Sequence, residues 1–253
     1  MTQGLFVTGT DTHVGKTFAS CILIASLRRE GINVGVMKPV ESGCSIRKGK
    51  AYPLDGARLR RAAGTDEPLE RITPYALLAP LAPHLAALKE GVVISIQRIL
   101  DGYSSLARKH RFMLVEGAGG ILAPLTVSRS VADLATALEL PLLVVAANRL
   151  GVLNHTLLTL ESAARRGLSV CGVLLNNAQD RKDPSTETNP DTLSRILAQS
   201  KVPFWGVLDH FTTAERQRVT GLTLRHGIGW SKARSSLGLT GGSQGSPEVL
   251  QKP

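Results

Sequence analysis

The sequence predicts an α/β fold: a mostly parallel central sheet with helices on both faces, in three layers. Three observations predict it. Short, almost uniformly apolar runs recur along the chain, separated by segments of helical pattern. The first run opens into a loop ending in Gly15-Lys16-Thr17, and helix formers follow at once. Each run also ends in polar or glycine-rich residues. Strands apolar on both faces belong to buried parallel sheets, and such sheets bind ligands at the carboxyl ends of their strands.

In chain order, the strands are expected at residues 5–8, 33–38, 112–116, 142–147 and 170–176, with a weaker one at 202–207. Helices are expected at 18–30, 92–110, 131–140, 154–166 and 191–200. Residues 1–210 read as one domain and 211–253 as a divergent C-terminal segment. Residues 231–253, rich in Ser, Gly, Lys and Pro, read as a poorly ordered tail. The polar, basic stretch 43–53 reads as a mobile loop.

Composition narrows the class. The 253 residues are 43% hydrophobic but only 4% aromatic, so small and aliphatic side chains must do the packing. Cys21, Cys44 and Cys171 lie far apart, which argues against a disulfide framework or zinc site and for a reducing cytoplasm. Cys21 and Cys171 read as small buried hydrophobes and Cys44 as exposed. No apolar run reaches membrane-spanning length, and no signal peptide is read at the start. The net charge of +10 reflects clusters such as Arg28-Arg29 and residues 47–50, 58–61 and 108–111. No aromatic platform is interleaved with them, so neither a nucleic-acid nor a membrane partner is expected.

The loop after the first strand carries the strongest signal. A strand, a Gly-Lys-Thr loop and a helix together make a phosphate-binding loop. Its backbone N–H groups would cradle phosphates, Lys16 would reach the β- and γ-phosphates, and the Thr17 hydroxyl would hold Mg²⁺. Five residues separate Gly9 from Gly15, one more than in the usual pattern, and Thr10 stands where the first glycine is usual.

The other strand ends add chemistry. Glu116 closes the third strand, where a carboxylate can bind Mg²⁺ opposite Thr17. Gly117-Ala118-Gly119-Gly120 then lets backbone approach a ligand. Lys38 ends the second strand as a fixed positive charge aimed at an anion, or as a snorkelling surface lysine. Ser42 contacts substrate or closes a turn. Asn154 caps a helix whose start, with Gly151, would suit a carboxylate; a plain cap fits equally. Asn176 and Asn177 read an adenine edge or close a turn. Asp55 alone reads as a helix cap or a solvated charge.

These pieces, in register over residues 5–206, resemble the dethiobiotin synthetase family. The resemblance rests on Val7-Thr8-Gly9-Thr10-Asp11-Thr12 with Val14-Gly15-Lys16-Thr17, on Lys38-Pro39-Val40 with Ser42-Gly43, and on Pro74-Tyr75 with Ala79-Pro80 and Ala82-Pro83-His84. Val115-Glu116-Gly117-Ala118-Gly119-Gly120 and Leu150-Gly151 with Asn154-His155 complete it. It implies a homodimeric P-loop NTPase architecture and an ATP-dependent cyclo-ligase of biotin synthesis. That enzyme closes a ureido ring on 7,8-diaminononanoate with CO₂, ATP and Mg²⁺.

By the same resemblance Thr17, Asp55 and Glu116 hold Mg²⁺, and Thr12, His13, Val14, Gly15, Lys16 and Thr17 wrap the phosphates. Lys16 and Lys38 neutralise the carbamate and the transferring phosphoryl group. Ser42 contacts substrate, while Gly151, Val152, Leu153 and Asn154 receive its carboxylate near the dimer interface. Asn176 faces the adenine. His13 stands where the family usually has Glu, Asn177 where Asp is common, and Leu208-Asp209 where Ile-Pro is usual. The competing reading is a P-loop ATPase switch of the partitioning or iron-protein type. It expects a lysine near Thr10, which this sequence lacks.

Overall fold

Strand β1 (Gln3–Gly9) lies inside a six-stranded sheet between β7 (Phe112–Gly120) and β8 (Leu142–Ala147). The sheet runs β10-β9-β8-β1-β7-β2, with β2 (Val34–Met37), β9 (Val170–Asn176) and β10 (Phe204–Leu208), and every pairing in it is parallel. The computed structural model describes residues 3–178, 183–211 and 230–239. After β1 the chain crosses to the β7-β2 side; from β8 onward it builds the opposite side. That reversal leaves a crevice beyond the carboxyl end of β1, where such sheets place their ligands.

The two-residue period of a strand sends alternate side chains to opposite faces, and here both faces are buried. Leu5, Val7, Phe112, Leu114, Leu143 and Val145 pack with α1 (Lys16–Arg29) and α2 (Leu54–Ala63). Phe6, Met113 and Val115 face the other way, with α5 (Ile96–Ala107) and α6 (Val131–Leu138). Val144, Val173 and Val207 pack with α7 (Val152–Ala164) and α8 (Pro184–Gln199). The first group lies on one face of the sheet and the other two on the opposite face, giving the expected helix, sheet and helix layers. Trp205 is fully buried, donates Nε1 to the Cys171 carbonyl at 3.0 Å, and fills the space left by Gly172, where a Cβ would stand 2.1 Å from that nitrogen.

All six expected strands form, within a few residues of their expected ends. Other elements differ for identifiable reasons. β7 continues past Glu116 to Gly120, because Gly120 pairs with Gly9 across the ladder. Residues 43–53 contain the antiparallel hairpin of β4 (Ser45–Arg47) and β5 (Lys50–Tyr52), with Gly49 at φ 73° in its turn and Arg47 stacked over Tyr52. Cys44 is buried, not exposed, because its N–H is bonded to the Leu77 carbonyl.

Helix α8 starts seven residues before the expected position. Asp183 caps it through a capping box with Thr186, and Pro184 occupies the first turn. Pro190 lies inside that helix and has no N–H for the Thr186 carbonyl. Asn148 Nδ2 supplies the missing donor at 2.9 Å. In the C-terminal segment, residues 230–239 include helix α9 (Trp230–Ser236); its Ala233 and the following Leu237 join the core. Residues 231–239 of the expected tail are thus structured, and residues 240–253 lie outside the described residues. Smaller elements complete the chain: β3 (Val40–Glu41) pairs in parallel with β6 (Tyr75–Ala76), and α3 (Leu69–Ile72) and α4 (Pro83–Lys89) flank them. No helix among the described residues is long and apolar enough to cross a membrane.

Candidate active site

The loop from Gly9 to Lys16 connects β1 to α1. Gly15 is the N-cap of α1 at φ 94°, a left-handed conformation that glycine adopts freely, and no side chain caps the helix. The first-turn N–H groups of a 14-residue helix are thus presented to the crevice, a ready anion site. Lys16 folds back, donating Nζ to the Asp11 carbonyl at 2.9 Å. Gly9 is required by close packing of the loop: a Cβ there would lie 2.9 Å from the Asp11 carbonyl oxygen and 3.0 Å from Lys16 Nζ. His13 adopts φ 60°, a conformation costing a non-glycine residue about 1 kcal/mol or more. Thr12 is exposed at the loop tip, its N–H bonded to Asp11 Oδ1 at 2.7 Å. Val14 is buried, and its carbonyl accepts Asn176 Nδ2 at 2.9 Å.

Beside the loop, four polar side chains converge. Glu116 is fully buried. Its Oε1 accepts Thr17 Oγ1 at 2.8 Å and Lys38 Nζ at 2.6 Å, and its Oε2 accepts Ser20 Oγ at 2.8 Å. Lys38 is 4% exposed, so the snorkelling reading fails; it also donates to the Gly117 carbonyl at 3.0 Å and stands 3.9 Å from Asp55 Oδ2. Burial opposes the Lys38 charge, but Glu116 and then Asp55 outweigh it and hold its pKa above the ordinary lysine value. Lys16 goes the other way: burial, then Lys38, push it down to about 8. The two lysines thus feel each other's charge, and the Glu116 and Asp55 carboxylates offset it. All three cysteines are free, and burial pushes each up to about 12, so none offers a thiolate nucleophile.

The glycines after Glu116 divide their roles. Gly117 is needed for packing, since a Cβ would lie 2.9 Å from Val131 Cγ1 and 3.0 Å from Phe6 Cε1. Gly119 and Gly120 instead lie against the phosphate loop, where Gly119 Cβ would be 3.6 Å from Thr12 Oγ1. Ala118 lies between them, half-buried on β7. Ser42 follows β3, and its loop is anchored by Gly43 N–H to the Ala79 carbonyl at 3.1 Å.

The start of α7 differs from expectation. Gly151, at φ 92°, is the N-cap; Asn154 is the third helical residue and caps nothing. A strand-to-helix turn this tight needs a left-handed residue before the helix, which Asn154 could not provide from within it. No side chain caps α7, so Val152, Leu153 and Asn154 form a bare first turn suited to a carboxylate. Asn176 is 2% exposed with Oδ1 unpartnered, and with Nδ2 held by Val14 it offers an acceptor. Asn177 Oδ1 accepts Asn148 Nδ2 at 2.9 Å, so its own amide nitrogen is the group it has to offer.

Thr17, Asp55 and Glu116 are hard oxygen donors, the chemistry Mg²⁺ prefers, and Thr17 and Glu116 are already in hydrogen-bond contact. Among the described residues no three His, Cys, Asp or Glu side chains form a metal cage. Sequence reasoning missed four polar groups here: Ser20, Glu41, Asn148 and Asn189. Glu41, buried beside Ser42, accepts the N–H groups of Asp55 and Gly56. Burial pushes its pKa up, against the two backbone donors that pull it down. Asn189 Nδ2 donates to Asn148 Oδ1 at 2.9 Å and to the Arg149 carbonyl at 3.2 Å, tying the loop before α7 to α8. Only the Ser20 position, one turn after Thr17 on α1, was a visible hint.

Comparison with known proteins identifies the relatives of this chain. A family model described as an AAA domain matches residues 3–218. The ATP-dependent dethiobiotin synthetase BioD of Anaeromyxobacter sp. (strain K) is 48% identical over 200 residues, covering 79% of this chain and 88% of that protein. The protein of the same name from Bacillus subtilis (strain 168) is 38% identical over 225 residues, covering 88% and 94%. Among solved structures, the MinC:MinD cell division protein complex of Aquifex aeolicus matches with a TM-score of 0.49 and 11% identity, covering 87% of this chain and 86% of that one. At 48% and 38% identity over most of both chains, these relatives show that the chain belongs to the ATP-dependent dethiobiotin synthetase family.

Proposed function

We propose that this chain is a cytoplasmic, Mg²⁺-dependent enzyme that closes a ureido ring on 7,8-diaminononanoate with CO₂ and ATP, giving dethiobiotin, ADP and phosphate. The observation that carries the reading is Lys38: a buried lysine at a strand end, fixed by Glu116 beside the phosphate loop. A hydrolytic switch has no need of it. A reaction passing through a carbamate does.

The roles follow from position. One amine of the substrate attacks CO₂ and loses a proton, forming a carbamate whose negative charge Lys16 and Lys38 offset. The carbamate oxygen attacks the γ-phosphorus of ATP, and ADP leaves, giving a carbamic–phosphoric anhydride. The second amine attacks the carbonyl carbon; its C–N bond forms, the C–O bond to phosphate breaks, and a proton is released. Thr12 and the N–H groups of residues 13–17 hold the phosphates in line, so the protein supplies position and charge rather than a covalent nucleophile. Thr17, Asp55 and Glu116 would hold Mg²⁺, which would supply positive charge to offset that of the phosphates. Ser42 and the α7 start (Gly151, Val152, Leu153, Asn154) hold the substrate, the latter at its carboxylate. Gly117, Ala118 and Gly119 line the nucleotide, and Asn176 and Asn177 face its base; the unpartnered Asn176 Oδ1 suits an exocyclic amino donor.

The working unit is a homodimer with the carboxylate site beside the interface. Leu150 and Leu158, 84% and 56% exposed, border that site and support this placement. Titration of 7,8-diaminononanoate by calorimetry, followed by phosphate release with bicarbonate, Mg²⁺ and ATP, tests the reading. Binding of the diamine, and release that needs both diamine and bicarbonate, are expected. Release without diamine would leave a plain ATPase.

A further inference from the structure

Helix α2 has an unusual start. Its N-cap residue is Pro53, which has no side-chain oxygen, and nothing local caps the helix. An N-cap side chain ordinarily accepts the N–H of the second or third helical residue. In α2 those residues are Asp55 and Gly56. Both N–H groups are taken by a distant carboxylate: Glu41 Oε1 accepts from Asp55 at 2.9 Å and Oε2 from Gly56 at 3.0 Å. Glu41 is 7% exposed and is itself held in β3, where its carbonyl accepts the Leu77 N–H at 2.8 Å. Gly56 packs closely there, since a Cβ would lie 2.1 Å from Thr73 Oγ1.

We propose that Glu41 is a positioning residue: it caps α2 from outside the helix and thereby sets the Asp55 carboxylate toward Lys38 and the metal. Glu41 is the immediate neighbour of Ser42, so one short strand fixes both the substrate loop and the helix that carries Asp55. A carboxylate at a helix N-terminus also opposes the helix dipole favourably. The proposal rests on the reading of Asp55 as a metal ligand.

The test measures ADP affinity by calorimetry twice, with Mg²⁺ and with chelator, so that metal-linked binding separates from phosphate-loop binding without any turnover. For Glu41→Gln, the Mg²⁺-dependent gain in affinity should fall about tenfold, the lower end for loss of an outer-shell partner, while affinity in chelator stays unchanged. Asp55→Asn should abolish most of the same gain. Pro53→Ser, which gives α2 a cap of its own, should restore both the gain and the melting temperature in the Glu41→Gln background. If Glu41→Gln folds poorly alone, the double variant carries the test, since recovery is expected only if capping is the role.

An unchanged Mg²⁺ gain in Glu41→Gln, with the loss present in Asp55→Asn, would overturn the positioning role alone. Restored melting without restored Mg²⁺ gain would overturn it too, leaving Glu41 a purely structural cap. No effect of Asp55→Asn would remove the metal reading and this proposal together.

Discussion

The two edges of the central sheet treat charge in opposite ways. At the carboxyl edge, Lys38 and Glu116 are 4% and 0% exposed and bonded at 2.6 Å within a knot that includes Thr17 and Ser20. At the amino edge, Lys109 pairs with Glu67, and Arg71 reaches the same carboxylate, but the Lys109 and Arg71 side chains are 49% and 56% exposed. His110, next along, shares Nδ1 with Asn33 Oδ1 at 2.8 Å. Exposed pairs of this kind contribute about 0–1 kcal/mol each, whereas breaking a buried pair costs about 3–5 kcal/mol because a charge is left without its partner. A buried pair gains little net stability over an apolar one. The Lys38–Glu116 pair, the most deeply buried of the ion pairs among the described residues, stands where the proposed chemistry needs charge.

That comparison can be broken most severely at Lys38. Lys38→Ala is expected to lower diamine-dependent phosphate release by about 10²–10³-fold, as for loss of an electrostatic stabiliser. It should also lower unfolding free energy by about 3–5 kcal/mol, read by denaturant titration. Removing Glu116 as well should restore part of the stability and none of the activity. Ser20→Ala, which deletes a hydroxyl donor to the same carboxylate, should cost about 1.5–3 kcal/mol by the same titration. Gly151→Ala forces a left-handed alanine and should cost about 1 kcal/mol. Its steady-state signature is a higher KM for diamine with KM for ATP unchanged.

The amino edge supplies the small effects. Lys109→Ala should change stability by less than about 1 kcal/mol and leave phosphate release untouched. His110 sharpens the contrast through pH. Burial lowers its pKa from the ordinary 6.5. The unfolded chain therefore takes up a proton first as pH falls below 6.5, so the His110 contribution to stability declines on acidification until the folded form is protonated too. A His110→Asn variant should show a flatter melting-temperature profile between neutral pH and pH 5 than the parent chain.

The same contrast explains what was legible in the sequence. Burial on both sheet faces demands uniform apolar runs, so all six strands stood out, and the phosphate loop was local enough to read from consecutive residues. The α7 start was legible through Gly151, although Asn154 was given a capping role that belongs to the glycine. Residues acting through distant partners were not legible. Glu41 meets α2 across 14 and 15 positions, and Ser20 meets Glu116 across 96. Asp55 had no local pattern and was placed only through family resemblance. Helix α8 was expected only from residue 191, and nothing in the sequence shows that Asn148 stands ready to bond the carbonyl that Pro190 leaves open.

The central claim is that phosphoryl transfer in this crevice is coupled to capture of a carbon atom between two amines. The most direct measurement follows isotopically labelled bicarbonate into an acid-stable product while counting phosphate released from ATP in the presence of 7,8-diaminononanoate. Equal amounts of fixed label and phosphate, with both lost in Lys38→Ala, are expected. Phosphate released without fixed label would contradict the claim.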